Sequence, residues 1–211
     1  QEGNYAVVIS NALGSAASSN AFLRVRSGPD LRVAVLGSTD DPNWNEEVRR
    51  KLEDSGAFTQ GGAFQGNTNN NQPLPTLEQL MGYHAVLVYS LTAFNDSAAL
   101  GNLLADYVDR GRGVVLCALA FDTSLLQAGM GIDGRIKTGG YLPFTLGNFW
   151  YQYRVSMVVD DPAHPVMAGV RTLDGGASSL HDLPIELAPG AVQLAHWTDE
   201  EPLVAVKTLP A

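Results

Sequence analysis

LLADYVDRGRGVVLCALAFD, residues 103–122, decides how the chain is read. Leu100, Leu103, Leu104, Tyr107 and Val108 fall at i, i+3, i+4, i+7 and i+8, one face of a helix running from Asp96 to Arg110. Asn95 can cap its start, and Asp96 suits the positive end of the helix dipole. Arg110 and Gly111 close it, a cation near the last carbonyls and a residue free to take positive φ. Gly113–Ala120 then reads GVVLCALA, with no alternation. That pattern predicts a central parallel strand with helices on both sides, because both of its faces must be buried.

Cys117, the one cysteine, falls near the carboxyl end of this run, where α/β sheets bind their ligands. Two readings compete. In one it is a small apolar core residue. In the other it is a nucleophile on a strand-to-helix elbow. An elbow requires small residues two positions to either side, and those positions hold Val115 and Leu119.

The hydrophobic fraction of 45% is that of a globular core, and 211 residues suit one domain with an extra piece. A net charge of −9 argues against nucleic acid and against an anionic membrane surface, since both carry phosphates that the chain would repel. No apolar run is long enough to span a bilayer. One cysteine excludes an internal disulfide and a cysteine-based zinc site. Gln1 starts neither with Met nor with a signal-peptide pattern, so the chain is expected to be processed or part of a longer one. Few lysines and many Gly, Asn, Ser and Thr residues lean towards an exported protein.

Outward from the central stretch, Leu31–Gly37 (LRVAVLG) reads as the first strand of the main domain. A loop, Ser38–Asn43, leads to a helix with Asn43 as N-cap and Trp44, Val48 and Leu52 on its inner face, ending near Gly56. The loop is not a phosphate loop, and the Asp40-Asp41 pair would repel phosphate. Ala57–Gly66 is a second or edge strand, Asn67–Pro75 a polar loop expected to be mobile, Leu77–Met81 a short helix and Tyr83–Ser90 a buried strand. Phe121–Gln127 reads as a short helix, residues 129–147 as a Gly-rich lid or insertion, and Phe149–Val159 as a strand. Ser178–Leu180, Ala191–Trp197 and Leu203–Lys207 are strand-like, with turns at Pro189-Gly190 and Asp199–Pro202. Residues 1–26 form a β-hairpin of Val-, Ile- and Phe-bearing strands around an Asn…Gly turn, and Ser27-Gly28-Pro29 begins a linker at 27–30.

The run at 106–117 (DYVDRGRGVVLC), the motif D-x-x-H-P-V-x-x-G-V at 161–170 and LAPGAVQLAHWTDEEPLVAV at 187–206 resemble the class I glutamine amidotransferase-like superfamily. Within it they are most similar to the non-amidotransferase branch with its trehalose-utilisation-type domains. The resemblance implies an α/β, flavodoxin-like fold with a doubly wound, mostly parallel sheet over residues 31–211. It also implies one more strand and a terminal helix after residue 206, so the domain is expected to be C-terminally incomplete. The hairpin, with Gly3, Tyr5, Ser10, Asn11 and Gly14 in the pattern G-x-Y-x-V-x-x-S-N-x-x-G, resembles the last two strands of a bacterial immunoglobulin-like sandwich. There Tyr5 would be the tyrosine corner and Val7 would stand in a disulfide position.

Amidotransferases carry G-x-C-x-G at the nucleophile and a downstream H-x-E. Cys117 lacks both glycines, and His164-Pro165 is followed by Val166. No histidine–acid pair is assignable by motif, so no catalytic residue is assigned beyond Cys117 as the candidate nucleophile. The expected function is a non-catalytic structural or interaction module of a larger secreted or cell-surface bacterial protein, acting in adhesion, scaffold or assembly. Its expected partners are other protein chains or the rest of the same polypeptide, with homo-oligomers formed by strand exchange where sheet edges are open. The alternative is a hydrolase-like enzyme or a small-ligand or carbohydrate binder using Ser38, Asp40, Asp41, Ser90, Thr92 and Cys117 at the carboxyl edge of the sheet. No cofactor or metal is expected, since His84, His164, His181 and His196 show no ligand spacing. Trp44, Trp150 and Trp197 can stack sugars, although core packing is the default for each.

Overall fold

A computed structural model describes residues 3–5, 8–11, 14–17, 21–23, 31–59, 61–66, 73–121, 129–145, 148–151, 155–177, 180–183 and 185–209. The N-terminal hairpin forms as nested antiparallel pairs. Strands β2 (Val8–Asn11) and β3 (Gly14–Ala17) pair around residues 12–13, and β1 (Gly3–Tyr5) pairs with β4 (Ala21–Leu23) outside them.

The main sheet holds β5 (Val33–Ser38), β6 (Gly62–Gln65), β7 (Ala85–Ser90) and β8 (Gly113–Leu116), all parallel, in the order β6-β5-β7-β8. Helix α1 (Pro42–Asp54) packs on one face against β5 and β6. Helices α2 (Leu77–Met81) and α3 (Ser97–Asp109) lie on the other. The sheet is therefore doubly wound, as the resemblance implies. On the α3 side, Leu36, Val86 and Val88 are buried against Leu100, Leu104 and Tyr107, the helical face read from the periodicity. Full burial of leucines such as Leu100 and Leu104 stabilises by about 1.5–3 kcal/mol each. Tyr107 Oη donates to the Tyr83 carbonyl at 2.9 Å, which ties α3 to the entry of β7.

Several local expectations need correction. Asp96, not Asn95, caps α3 with its side chain on the Ala99 amide, while the Asn95 amide is held by the Gly66 carbonyl. Asp41, not Asn43, caps α1, because Pro42 at the first helical position has no N–H to satisfy and starts the helix two residues earlier. Trp44 is exposed, and the inner face of α1 is built from Asn45, which is buried, and from Val48 and Leu52, which are half-buried. Most consequential, among the described strands β8 lies at the edge and not at the centre. Val115 is 54% exposed, and β7 is the one described strand paired with β8. Val114 and Leu116 pack against the core, while Gly113, Val115 and Cys117 point to the opposite face, which α1 does not reach. The apolar run failed to alternate because the uncovered face is apolar as well.

Residues 118–121 turn into a 3-10 helix, and the remainder of the expected helix lies outside the described residues, as does most of the 67–75 loop. The segment expected as a lid or insertion is packed against the domain in its described part, 129–145, which argues against the lid. Met130, Ile132, Ile136, Leu142 and Phe144 are buried in it. Its short helix α4 (Arg135–Thr138) sits against α3, where a Cβ on Gly101 would lie 1.6 Å from the Asp133 carbonyl oxygen. Arg135 adds ion pairs to Asp106 and Asp109.

The expected strand at 149–159 is two strands. β9 (Asn148–Tyr151) pairs with β11 (Leu180–Leu183). β10 (Met157–Val159) joins β12 (Ala191–Trp197) and β13 (Pro202–Lys207) in a separate antiparallel sheet, order β10-β12-β13. That sheet encloses a second core of Met157, Met167, Leu194 and Ala195. β13 bridges the two cores, since Ala205 packs on the first and Leu203, Val204 and Val206 on the second.

Candidate functional site

The carboxyl ends of β5 and β7 meet in parallel register, Ser38 opposite Ser90, and carry a set of buried polar side chains. Ser38 Oγ donates to the Ala93 carbonyl at 2.8 Å and lies 3.1 Å from Thr92 Oγ1. The Ser38 carbonyl accepts from the amides of Leu91 and Thr92. Ser38 and Thr92 therefore hold the loop after β7 in place. Ser90 Oγ is buried and has no hydrogen-bond partner among the described residues. Asp41 is engaged as the α1 cap, and Asp40 is exposed.

The other face of the same strand ends holds a second polar knot that the sequence did not announce. Asn45 Nδ2 donates to the carbonyls of Gly37 at 2.9 Å and Phe64 at 2.8 Å, and its Oδ1 accepts from Tyr89 Oη at 2.5 Å. One helix residue thus fastens three strands. The knot closes over Gly37, where a Cβ would lie 2.0 Å from Asn45 Oδ1 and 2.6 Å from the Tyr89 ring. The signal available in the sequence was a polar residue on the inner face of a helix, three and seven positions before Val48 and Leu52.

Cys117 lies on this second face, near Tyr89, and away from Ser38 and Ser90, whose side chains share the α3 side. It is exposed at the surface, yet enough protein surrounds the sulfur that desolvation raises its pKa above the usual thiol range. Among the described residues no cation or imidazole offsets that shift. A reactive cysteine needs the opposite environment, one that favours the thiolate. Tyr89 is likewise pushed up, first by burial and then by Cys117. The predicted residues are thus brought to one end of the sheet but split between its faces: Ser38, Ser90 and Thr92 together, Cys117 apart, Asp40 and Asp41 on the α1 loop.

The histidines with described side chains perform structural work. His84 Nδ1 accepts from the Arg32 amide, and His164 Nδ1 accepts from the Val166 amide to cap a 3-10 turn at Pro165–Met167. That turn, with Asp161 accepting from the Ala163 amide, accounts for the D-x-x-H-P-V pattern. His196 Nδ1 contacts Asp160 at 2.7 Å, and Gln193 holds the other carboxylate oxygen. Among the described residues no three acidic, histidine or cysteine side chains cluster as a metal site. Trp197 is buried, and Trp150 and His181 have side chains outside the description.

A cavity lies elsewhere. About 500 Å³ of space opens between β8 and β13, floored by Val108, Ile136 and Phe144. Arg112 and Lys207 are the charged side chains on its wall.

Together these features define a flavodoxin-like α/β domain. Among solved structures, a ThuA-like protein from Parabacteroides merdae ATCC 43184 is similar, with TM-score 0.52 and 17% identity over 86% of this chain and 76% of that one. A ThuA-like protein from Bacteroides uniformis ATCC 8492 has TM-score 0.44 and 14% identity over 82% and 70%. At these identities the likeness concerns the fold. No protein-family model matches the chain, and no curated protein matches it in sequence.

Proposed function

We propose that the chain is a non-catalytic interaction module of a larger secreted or cell-surface bacterial protein, from the non-amidotransferase branch of its superfamily, with an immunoglobulin-like neighbour ending in the N-terminal hairpin. The supporting observation is the state of Cys117. The one thiol at this end of the sheet has a raised pKa, and among the described residues no base or cation stands beside it. Its polar neighbours are engaged in holding strands and loops, Asn45 and Tyr89 on its own face and Ser38 and Thr92 on the other. Nucleophilic catalysis needs an adjacent base or a lowered pKa, and the described residues supply neither.

The test is the rate of Cys117 alkylation by iodoacetamide in the folded chain across pH. Because the side chain is exposed, labelling without denaturant is expected. Its apparent pKa should fall above that of a free thiol. An apparent pKa below 7 would overturn the proposal and favour the hydrolase-like reading. Ser90 supports a ligand-binding alternative, because a buried hydroxyl without a partner is the kind of group a bound molecule satisfies.

A further inference from the structure

We propose that Asp133–Gly134 is a modification site, where isoaspartate forms spontaneously and releases α4 from α3. The proposal goes beyond the interaction-module reading and does not depend on it.

The chemistry needs no partner but water. The Gly134 nitrogen attacks Cγ of Asp133, and the N–H proton leaves with the hydroxyl of the protonated carboxyl as one water. A five-membered succinimide results. Water then adds to one of the two ring carbonyls and breaks that C–N bond. Opening at the main-chain carbonyl leaves the chain running through Cγ, with the former main-chain carbonyl carbon as a free carboxylate. Nothing is oxidised or reduced, and the mass is unchanged. Glycine favours the ring closure, because no Cβ crowds the attacking nitrogen.

The sequence holds two Asp-Gly pairs, Asp133–Gly134 and Asp174–Gly175, and the structure separates them. The Gly175 N–H donates to the Val155 carbonyl at 2.9 Å, so its nitrogen is committed. The Gly134 N–H donates to no main-chain carbonyl among the described residues. It faces Oδ1 of Asp133 at 2.9 Å, which sets the nucleophile against the carboxyl it attacks. That carboxylate is 55% exposed, so water reaches it. The fold also fixes the glycine in place. Gly134 sits at a φ of 71°, and a Cβ there would lie 2.4 Å from the Ala98 carbonyl oxygen.

The consequence follows from what flanks the bond. The Asp133 N–H donates to the Ser97 carbonyl at 3.2 Å, and the Arg135 N–H donates to Asn102 Oδ1 at 2.8 Å. Both acceptors belong to α3, and the Asp133 carbonyl between them rests on Gly101. Isoaspartate adds one carbon to the main chain between the two anchors. The anchors cannot both hold, and the ion pairs of Arg135 with Asp106 and Asp109 are displaced with α4.

The experiment ages the folded full chain at neutral pH. Tryptic peptides are then compared, with isoaspartate located by electron-transfer fragmentation. The peptide 113–135 should accumulate isoaspartate at least fivefold faster than the peptide 172–207. In urea the two rates should converge, because no structure then selects between them. In the aged fraction the amides of Lys137, Thr138 and Gly139 should lose protection from hydrogen exchange, while those of β5 keep it. Asp133→Glu should abolish the product in 113–135, since a six-membered ring closes far more slowly. Asp133→Asn, which loses ammonia in the same ring closure, should react faster and keeps the test alive if the glutamate variant folds poorly. Equal rates at the two sites in the folded chain, or a faster rate at Asp174, overturn the proposal. So does the absence of product at Asp133 after the unfolded chain has half converted. Isoaspartate at Asp133 with the α4 amides still protected would overturn the release.

Discussion

The two flanks of the parallel sheet solve the same problem differently. On the β6–β5 side, polar groups at the strand ends are closed by neighbours: Asn45 takes the carbonyls of Gly37 and Phe64, and Tyr89 takes Asn45. On the β8 side no described strand pairs with the outer backbone edge, Val115 is exposed, and an apolar cavity runs alongside. The first flank holds most of the residues that look like chemistry. The second holds Val, Leu and Gly. Side chains that satisfy one another have little left to offer a ligand, whereas an unpaired backbone beside apolar space takes a further strand, such as the one expected after residue 206. Polar character alone is therefore a poor guide to where this sheet is unfinished.

The sharpest way to break the closed flank is Gly37→Ala. The new Cβ cannot coexist with Asn45 Oδ1 at 2.0 Å, and Asn45 is too tightly enclosed to step aside. Overpacking of this kind costs about 1–3 kcal/mol, and each hydrogen bond lost about 1 kcal/mol more. A loss of roughly 3 kcal/mol in urea unfolding is expected. A loss under 1 kcal/mol would mean that the knot yields and is not what fastens α1.

Next in size is a pH effect on the α3 side. Burial pushes the Tyr107 hydroxyl up to about 12. The unfolded side chain titrates near 10. The folded state therefore holds its proton longer, so the contribution is complete below pH 10 and lost as pH rises towards 12. About 2–3 kcal/mol should disappear over that window, at 1.36 kcal/mol per pKa unit. Tyr107→Phe should cost about 1 kcal/mol at neutral pH, through the bond to Tyr83, and flatten the alkaline loss. Urea unfolding of both proteins between pH 8 and 12 reads both effects.

Much of this fold was legible in the sequence, for physical reasons that also explain the failures. Leu100, Leu104 and Tyr107 announced α3 because one side of that helix meets a core and the other meets water. Leu77–Met81 and Ala191–Trp197 were found at their observed bounds because turn and capping residues bracket them. The β8 run was legible as a strand but not as an edge. Burial on two faces and apolar exposure on one give the same string of letters. At the site, Ser38, Ser90, Thr92 and Cys117 were placed correctly at one end of the sheet. Their division between its two faces depends on register, which a one-residue shift inverts. Asn45 was missed because a single polar letter on a helix usually reads as solvent.

Ser90 tests whether the closed flank is closed everywhere. Its hydroxyl is buried with no partner among the described residues, so Ser90→Ala removes an unsatisfied group and leaves the packing near Ser38 almost unchanged. Stability should rise by up to about 1 kcal/mol. A fall of that size in the isolated chain would show that the hydroxyl is bonded in solution, and the ligand-binding alternative would lose its main support.

The smallest expected effect tests the open flank. Val115 is 54% exposed on the face of β8 that α1 leaves bare. Threonine keeps the β-branched shape, and with it the strand preference, while exchanging a methyl for a hydroxyl. On a wet face that exchange changes stability by less than about 0.5 kcal/mol. Under a covering layer it buries a hydroxyl without a partner and costs about 1–3 kcal/mol. Equilibrium unfolding of Val115→Thr thus separates a truly bare face from one covered in solution. A near-zero change leaves β8 with its edge and one face open. A cost above 1 kcal/mol would mean that both flanks of the sheet are closed, and the contrast between them would vanish.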